Sequence, residues 1–476
     1  DGEKRIHEHG SSFTTTRKAS VLSCTINLTT TIIGTGMLGL PGAYAGCGYL
    51  TGTVLLILAG ILSGIGLRLL ALSAETMHHF NEEIHDREID QDNPSNEYKN
   101  SSPNHPMKSS FYTLAYAAIP DFTMLVDITV ALKCFGVATG YLVAVGDCMS
   151  DALDYLINET NIFQGIDENK LIIWQMRQLW ISIALLCMIP ISFFPTLDEL
   201  KYTSAFSLCI VVSLVIAIIL YAVNALNPCG GSEYLEAMPT DDDGAETCRG
   251  EMHYATDFAD TFRSLPIYIF AFTCHQNIFF VVNEIRDKKI SNIDRVIQGT
   301  ILIGMITFFI VAGAGYHTYG SNVSSDLLRS YPISLMVTIM RIGIAVMVLF
   351  HYPLQLYPSR LCITTLVKSC ERCIAGDPSN KSYEGEMVIS DHALFMSITW
   401  IFLLLSYGIA MVEEDLGFVM AVVGATGSTM VSYILPGIIY VRLHQGYSLM
   451  KILAYVQLVS GIAIIPVALY FIITSA

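Results

Sequence analysis

The sequence predicts an all-α integral membrane protein of about eleven transmembrane helices with a cytosolic N-terminus. Three observations predict it. Of 476 residues, 53% are hydrophobic and only 14% charged, where a soluble domain carries about a quarter charged residues. The apolar residues gather into runs as long as the ~20 residues a helix needs to cross hydrocarbon. Lys and Arg are shared unevenly between the connections, which sets orientation.

The runs lie near 20–45, 49–75, 111–146, 173–195, 202–226, 261–284, 295–318, 332–365, 391–411, 416–442 and 448–473. They are continuous, whereas barrel strands alternate over about ten residues. Helices also pair their own backbone groups in lipid, which open sheets cannot do. With the N-terminus inside, the inner side receives Lys4, Arg5, Arg17, Lys18 and the group Arg286, Lys288 and Lys289, among others. The outer side holds only Lys170, Arg177, Arg249, Arg263 and Arg329. An odd number of spans leaves the C-terminus outside. The sequons at Asn158 and Asn322 fall in outer loops and are expected to be glycosylated, whereas those at Asn100 and Asn380 fall inside.

The net charge of −16 comes largely from loops. The acidic stretch 81–100 has no apolar period and is expected to be a flexible cytosolic loop. No basic patch points to nucleic acid. The chain begins without Met and shows no cleavable signal peptide, so a native N-terminal tail is expected to be missing. Most of the twelve cysteines fall in spans as small apolar residues. Cys229 and Cys248 share one outer loop, on the oxidising side, and are expected to form a disulfide. The lone Cys370-x-x-Cys373 has no partner pair, so no metal site and no cofactor are expected. No nucleophile–base motif suggests an enzyme.

Two spans are interrupted. The first contains TTTIIGTGMLGLPGAYAGCGY (29–49), with Gly34-Thr35-Gly36 at its centre. The sixth contains SLPIYIFAFTCHQNIFFVVNEIRDKK (264–289), with the polar run Thr273 to Asn277 at mid-span. Glycine weakens a helix by about 1 kcal/mol relative to Ala, and polar side chains are costly in lipid. Such defects are tolerated where backbone lines a cavity. Small-residue packing of a kinked helix is the bland alternative. A five-helix repeat places both breaks equivalently, and an odd repeat inverts its second copy. Paired breaks in inverted halves point to a transporter's binding site. Bare N–H groups at a half-helix N-terminus suit a carboxylate, and freed carbonyls suit an ammonium. A zwitterionic amino acid satisfies both.

The residues also carry a resemblance. IIGTGMLGLPGAYAGCG (32–48) resembles the first helix of the amino acid/auxin permease family, and FAFTCHQNIFFVVNEIRDKK (270–289) resembles the sixth helix of its vacuolar amino acid transporter branch. KCFGVATGYLVAVGD (133–147) and YPLQLYPSR (352–360) are similar to that branch's third and eighth helices. The resemblance implies a five-plus-five inverted repeat (LeuT-like) working by alternating access. The repeats would span 20–226, with an inner loop at 76–110, and 261–442, with an inner loop at 366–390. Around them would lie a cytosolic tail at 1–19, an outer loop at 227–260 and an eleventh helix at 448–476. It implies substrate contacts at Thr31, Ile33, Gly34, Thr35 and Gly36, and at Phe270, Phe272, Thr273, Cys274 and His275. His275 is equally readable as a hydrogen-bonded structural histidine.

The family's sodium-coupled members are similar in the same motifs, but they carry an Asn before the break and hydroxyl residues in the eighth helix. Here Thr30, Leu349 and His351 stand at those positions. Sodium needs oxygens that Leu does not offer, so proton coupling is expected over Na⁺. His351, with an ordinary pKa of about 6.5, and Lys133, buried in a span, are the candidate carriers. Each has a structural alternative, a wet vestibule for His351 and a fixed partner for Lys133. Asp127 and Arg341 are expected to be structural ion pairs or snorkelling groups.

The sequence reading is therefore a monomeric, cofactor-free transporter of small or neutral amino acids. The breaks contain no carboxylate, which is the ground for that substrate preference. The membrane is expected to be vacuolar or lysosome-like, with the plasma membrane as alternative. A sodium symporter, or an amino acid sensor with the same pocket, remains open.

Overall fold

The first span folds as two helices. In this computed structural model, which describes residues 19–91, 109–158, 176–193, 201–229, 248–374 and 391–474, α1 (Val21–Ile32) begins at Ser20, whose side chain accepts from the Ser23 N–H. The chain leaves the helix at Ile33 and resumes as α2 (Gly36–Cys47), bent by 53° from α1. α3 (Tyr49–Gln91) crosses as Tyr49–His78 and its backbone stays helical beyond that span. The acidic stretch expected to be a loop from 81 is thus helical as far as Gln91, and the remainder of it lies outside the described residues.

The run expected as one span over 111–146 is two elements. α4 (Phe111–Ala118) opens with a capping box between Ser110 and Thr113. It stops at Ile119, which precedes Pro120 and has φ −144° and ψ 64°, because a following proline disfavours helical backbone. After a 3₁₀ turn, α5 (Thr123–Asn158) makes the crossing. α6 (Arg177–Ser192) and α7 (Lys201–Ala222) occupy the places of the fourth and fifth expected spans, with apolar lengths shorter than the others.

The sixth span is also divided. α8 (Phe258–Ala271) ends at Phe272, and a 3₁₀ turn at His275–Asn277 leads into α9 (Ile278–Glu284). Then come α10 (Ile290–Tyr319), the short α11 (Leu327–Ser330), α12 (Leu335–Ile374), α13 (Asp391–Val412), α14 (Leu416–Val423), α15 (Leu435–Leu443) and α16 (Leu449–Ile473). Two π-helical turns, Gly424–Ser428 and Met430–Ile434, join α14 to α15 within one crossing. Among the described residues, eight helical segments are long and apolar enough to span a membrane, and the bent α1–α2 pair makes nine. Among the described residues the single β-type pairing is a bridge between Ala19 and Ile285, which ties the inner end of the first span to that of the sixth.

α5 is the central crossing: 78% of its apolar window is buried, against 22% for α16 at the periphery. α5 packs along α12, and α2 packs on α8. The outward face of α10 shows Leu302, Ile303, Ile306 and Phe309, and that of α13 shows Ile401, Leu404 and Leu405. These apolar faces suit lipid, where exposing them costs nothing. Near the outer ends, Arg177 pairs with Asp147 at 2.6 Å and donates to the Ala410 and Glu413 carbonyls. Arg341 pairs with Asp151 at 3.3 Å and donates to the Leu328 carbonyl, so it is a structural ion pair. Asp127 has no ion pair among the described residues. Its carboxyl faces the Cys362 thiol.

The expected disulfide is present: Cys229 and Cys248 are bonded with Cα atoms 5.5 Å apart. Asn322 is exposed on a 3₁₀ turn after α10. Asn158 ends α5, but its side chain and the rest of its sequon lie outside the described residues, as do Asn100, Asn380 and most of the expected inner loops and N-terminal tail.

Candidate functional site

Glycine and threonine at the first break leave backbone groups bare. Ile33 N–H still bonds to the Thr29 carbonyl, and Gly34 N–H to that of Ile32. The N–H groups of Thr35 and Gly36 have no hydrogen bond among the described residues. They stand at the N-terminus of α2, where the helix dipole is positive. Such an end is a ready site for a carboxylate.

At the sixth span the complementary groups are bare. The Phe270 carbonyl accepts from Thr273 N–H, and the Phe272 carbonyl accepts from the Ser63 hydroxyl at 2.8 Å. The carbonyls of Ala271 and Thr273 have no donor among the described residues. They lie at the C-terminus of α8, the negative end of its dipole. The two ends are pressed together at Gly36: a Cβ there would come within 2.9 Å of Ala271 Cα. On the inner side, the Asn277 amide donates to the Thr31 hydroxyl at 3.0 Å, and that hydroxyl donates to the Asn27 carbonyl.

Between the breaks lies a cavity of about 20 Å³, room for little more than a water. Thr31, Ile32, Gly34, Thr35 and Gly36 form one wall, and Phe270, Ala271, Thr273 and Gln276 the opposite one. α5 contributes Lys133, Val137 and Tyr141, and α12 contributes Gln355. The Tyr141 hydroxyl sits 3.8 Å from where a Cβ on Gly34 would be and meets the Gln355 side chain. The cavity therefore lies at the meeting of bare N–H groups, bare carbonyls and a polar third wall.

Of the residues singled out from sequence, Thr31, Gly34, Thr35, Gly36, Phe270, Thr273 and Lys133 line this cavity. Ile33, Phe272, Cys274 and His275 are buried behind it. Phe272 packs edge-on against Phe308. His275 is fully buried, and neither ring nitrogen has a hydrogen-bond partner among the described residues. Its surroundings are Gly66, the Ser432 carbonyl and Gln457. His351 stands one layer out, its ring edge-on to Tyr141 with centroids 6.4 Å apart. Its Nδ1 donates to the Met347 carbonyl at 2.7 Å, because a carbonyl can only accept, and this leaves Nε2 with the lone pair.

Sequence reasoning missed Tyr141, Gln276 and Gln355. Two signals were available: Gln276 lies inside the polar run of the sixth span, and Gln355 is one helical turn from His351. Tyr141 carried none, since an aromatic in a span is ordinary packing.

Two broken helices whose residues with bare backbone groups line one small cavity form a candidate small-molecule site inside a multi-span membrane protein. The family described as transmembrane amino acid transporter protein matches residues 17–89 and 95–474 of this chain, and the chain belongs to it. That family is one of transporters and not of enzymes. Vacuolar amino acid transporter 5 of Schizosaccharomyces pombe is 29% identical over 426 residues, covering 89% of this chain and 84% of the relative. Vacuolar amino acid transporters 5 and 6 of Saccharomyces cerevisiae are 28% and 26% identical, each over 88% of this chain and over 88% and 89% of their own lengths.

Proposed function

We propose that this chain is a proton-coupled secondary transporter of amino acids, working by alternating access in a vacuolar or lysosome-like membrane. One observation carries the reading: Thr35 and Gly36, with unpaired N–H groups, and Ala271 and Thr273, with unpaired carbonyls, line the same cavity. The α-carboxylate binds at the α2 N-terminus and the α-ammonium at the α8 C-terminus. Recognition through backbone asks nothing of the substrate side chain, which then selects through the remaining wall.

The size of the cavity supports alternating access. A cavity of about 20 Å³ is contracted, and no amino acid enters it without movement of the walls. Breaks in the first and sixth spans support a five-plus-five inverted repeat, in which one repeat moves against the other. The names of the relatives support the vacuolar membrane. In that orientation the sequons at Asn158 and Asn322 lie on the luminal side and are the proposed glycosylation sites.

Proton coupling rests on the oxygen supply. The Thr30 hydroxyl is committed to the Asn27 carbonyl, and Leu349 and His351 offer no oxygen, so sodium lacks its cage. His351 is the proposed carrier, with Nε2 free to accept the proton, and Lys133 is the second candidate. Among the described residues no acidic side chain lines the cavity, so a cationic substrate side chain finds no counter-charge there. The breaks carry no charged side chain, so selection among substrate side chains falls to the remaining wall.

Uptake of radiolabelled amino acids into proteoliposomes tests the proposal. Uptake should follow an imposed pH gradient and be indifferent to replacing Na⁺ with choline, and His351→Ala should flatten the pH response. Strict sodium dependence would remove the coupling, and an unchanged pH profile in His351→Ala would clear that residue.

A further inference from the structure

The third wall of the cavity holds polarity that the two breaks leave unused. Lys133 is 3% exposed, lines the cavity, and has no ion pair or hydrogen bond among the described residues. The π-helical turn Gly424–Ser428 presses on its backbone: a Cβ on Gly427 would meet Lys133 Cβ at 2.7 Å. The side chain therefore has the cavity side to occupy. Beside it, Gln355 is 5% exposed and its Oε1 is buried without a partner. Both amide atoms of Gln276 are buried and unpartnered too.

These groups are costly as they stand. A buried charge without a partner is destabilising, and so is each unpaired buried polar group. A substrate that supplies the missing partners offsets that cost. Resting on the zwitterion reading above, the α-carboxylate and α-ammonium are already held by the ends of α2 and α8. What remains to meet Lys133 is the substrate side chain.

We propose that Lys133, with Gln355 and Gln276, selects an anionic side chain, so that acidic amino acids are the preferred substrates. The breaks carry no charge and so exclude none, and the selecting charge sits on α5. A neutral amide such as glutamine satisfies the two glutamines but leaves the ammonium unpaired. A cationic side chain is repelled by it. On this assignment Lys133 is a fixed charge, which leaves His351 to carry the proton.

The test uses the full chain in proteoliposomes, with l-glutamate, l-glutamine and l-leucine as probes, for the wild type, Lys133→Met and Gln355→Leu. Thermal melting of each purified variant establishes that it is folded. The wild type is expected to take up glutamate with at least a tenfold lower KM than glutamine or leucine. Lys133→Met should raise the glutamate KM by about a hundredfold while raising the glutamine KM less than tenfold. Gln355→Leu should raise the glutamate KM about tenfold. If the wild type takes up leucine or glutamine in preference to glutamate, the selection proposal is overturned and the transporter reading stands. If Lys133→Met loses all three substrates equally, Lys133 serves the α-carboxylate or the proton, and the proposal is likewise overturned. If the folded wild type takes up no amino acid, the transporter reading itself falls.

Discussion

Gly36 lies against Ala271 so closely that a methyl group on Gly36 would come within 2.9 Å of the Ala271 Cα. The neighbour is backbone, so it cannot swing aside as a long side chain would. This contact brings the positive end of α2 to the negative end of α8, and the geometry of the cavity depends on it.

Gly36→Ala should therefore separate the two breaks. Overpacking of this kind costs about 1–3 kcal/mol, and the displaced N–H groups no longer face the carbonyls. Uptake should fall at least tenfold with a modest drop in melting temperature. Wild-type uptake in folded Gly36→Ala protein would show that close approach is not required.

The hydrogen bond from Asn277 to Thr31 closes the inner side of the same site. A neutral hydrogen bond contributes about 0.5–1.5 kcal/mol, and paired residues couple in a double-mutant cycle. Thr31→Val and Asn277→Leu should each lower the melting temperature, and the double variant should lose less than the two changes added together. Full additivity would mean that the two side chains act independently.

Acidity should tighten the outer side. Asp326 caps α11 through the Leu328 N–H, and its second oxygen is buried without a partner. Burial first, and then the Asp147 charge, push its carboxyl up from 3.8 to about 7, against the Leu328 N–H and Arg341, with Asp151 adding a smaller upward push. The Cys148 thiol lies in the same group. A carboxyl whose pKa is raised on folding binds its proton better when folded, so its contribution is full below about 3.8 and is lost as pH rises through about 7. The melting temperature should fall by a few degrees between pH 5 and pH 8, and Asp326→Asn should flatten that slope. An identical slope in Asp326→Asn would move the effect to another group.

Much of this was legible in the sequence because lipid imposes it. Apolar runs gave the spans, and the glycines and polar residues at 34–36 and 273–277 gave both breaks, since such residues are expensive at mid-span. The pair Cys229 and Cys248 was legible from its side of the membrane. Other features depend on tertiary packing. The π-helical turns of 424–434 replace ordinary helical bonding where Gly427 meets Lys133, and no local pattern announces that contact. Ile119-Pro120 is a readable stop inside an apolar run that otherwise looks like one span. Tyr141, Gln276 and Gln355 reach one cavity from three separate helical segments, and each alone looks like ordinary span packing.

The central claim is that backbone groups at the two breaks hold both α groups of the substrate. Thermal-shift titration of the purified protein with the twenty amino acids, each beside counterparts lacking the α-amino or the α-carboxyl group, tests it most directly. Every amino acid that raises the melting temperature should lose its effect when either group is removed. A counterpart lacking one α group that stabilises the protein as well as its parent would contradict the account.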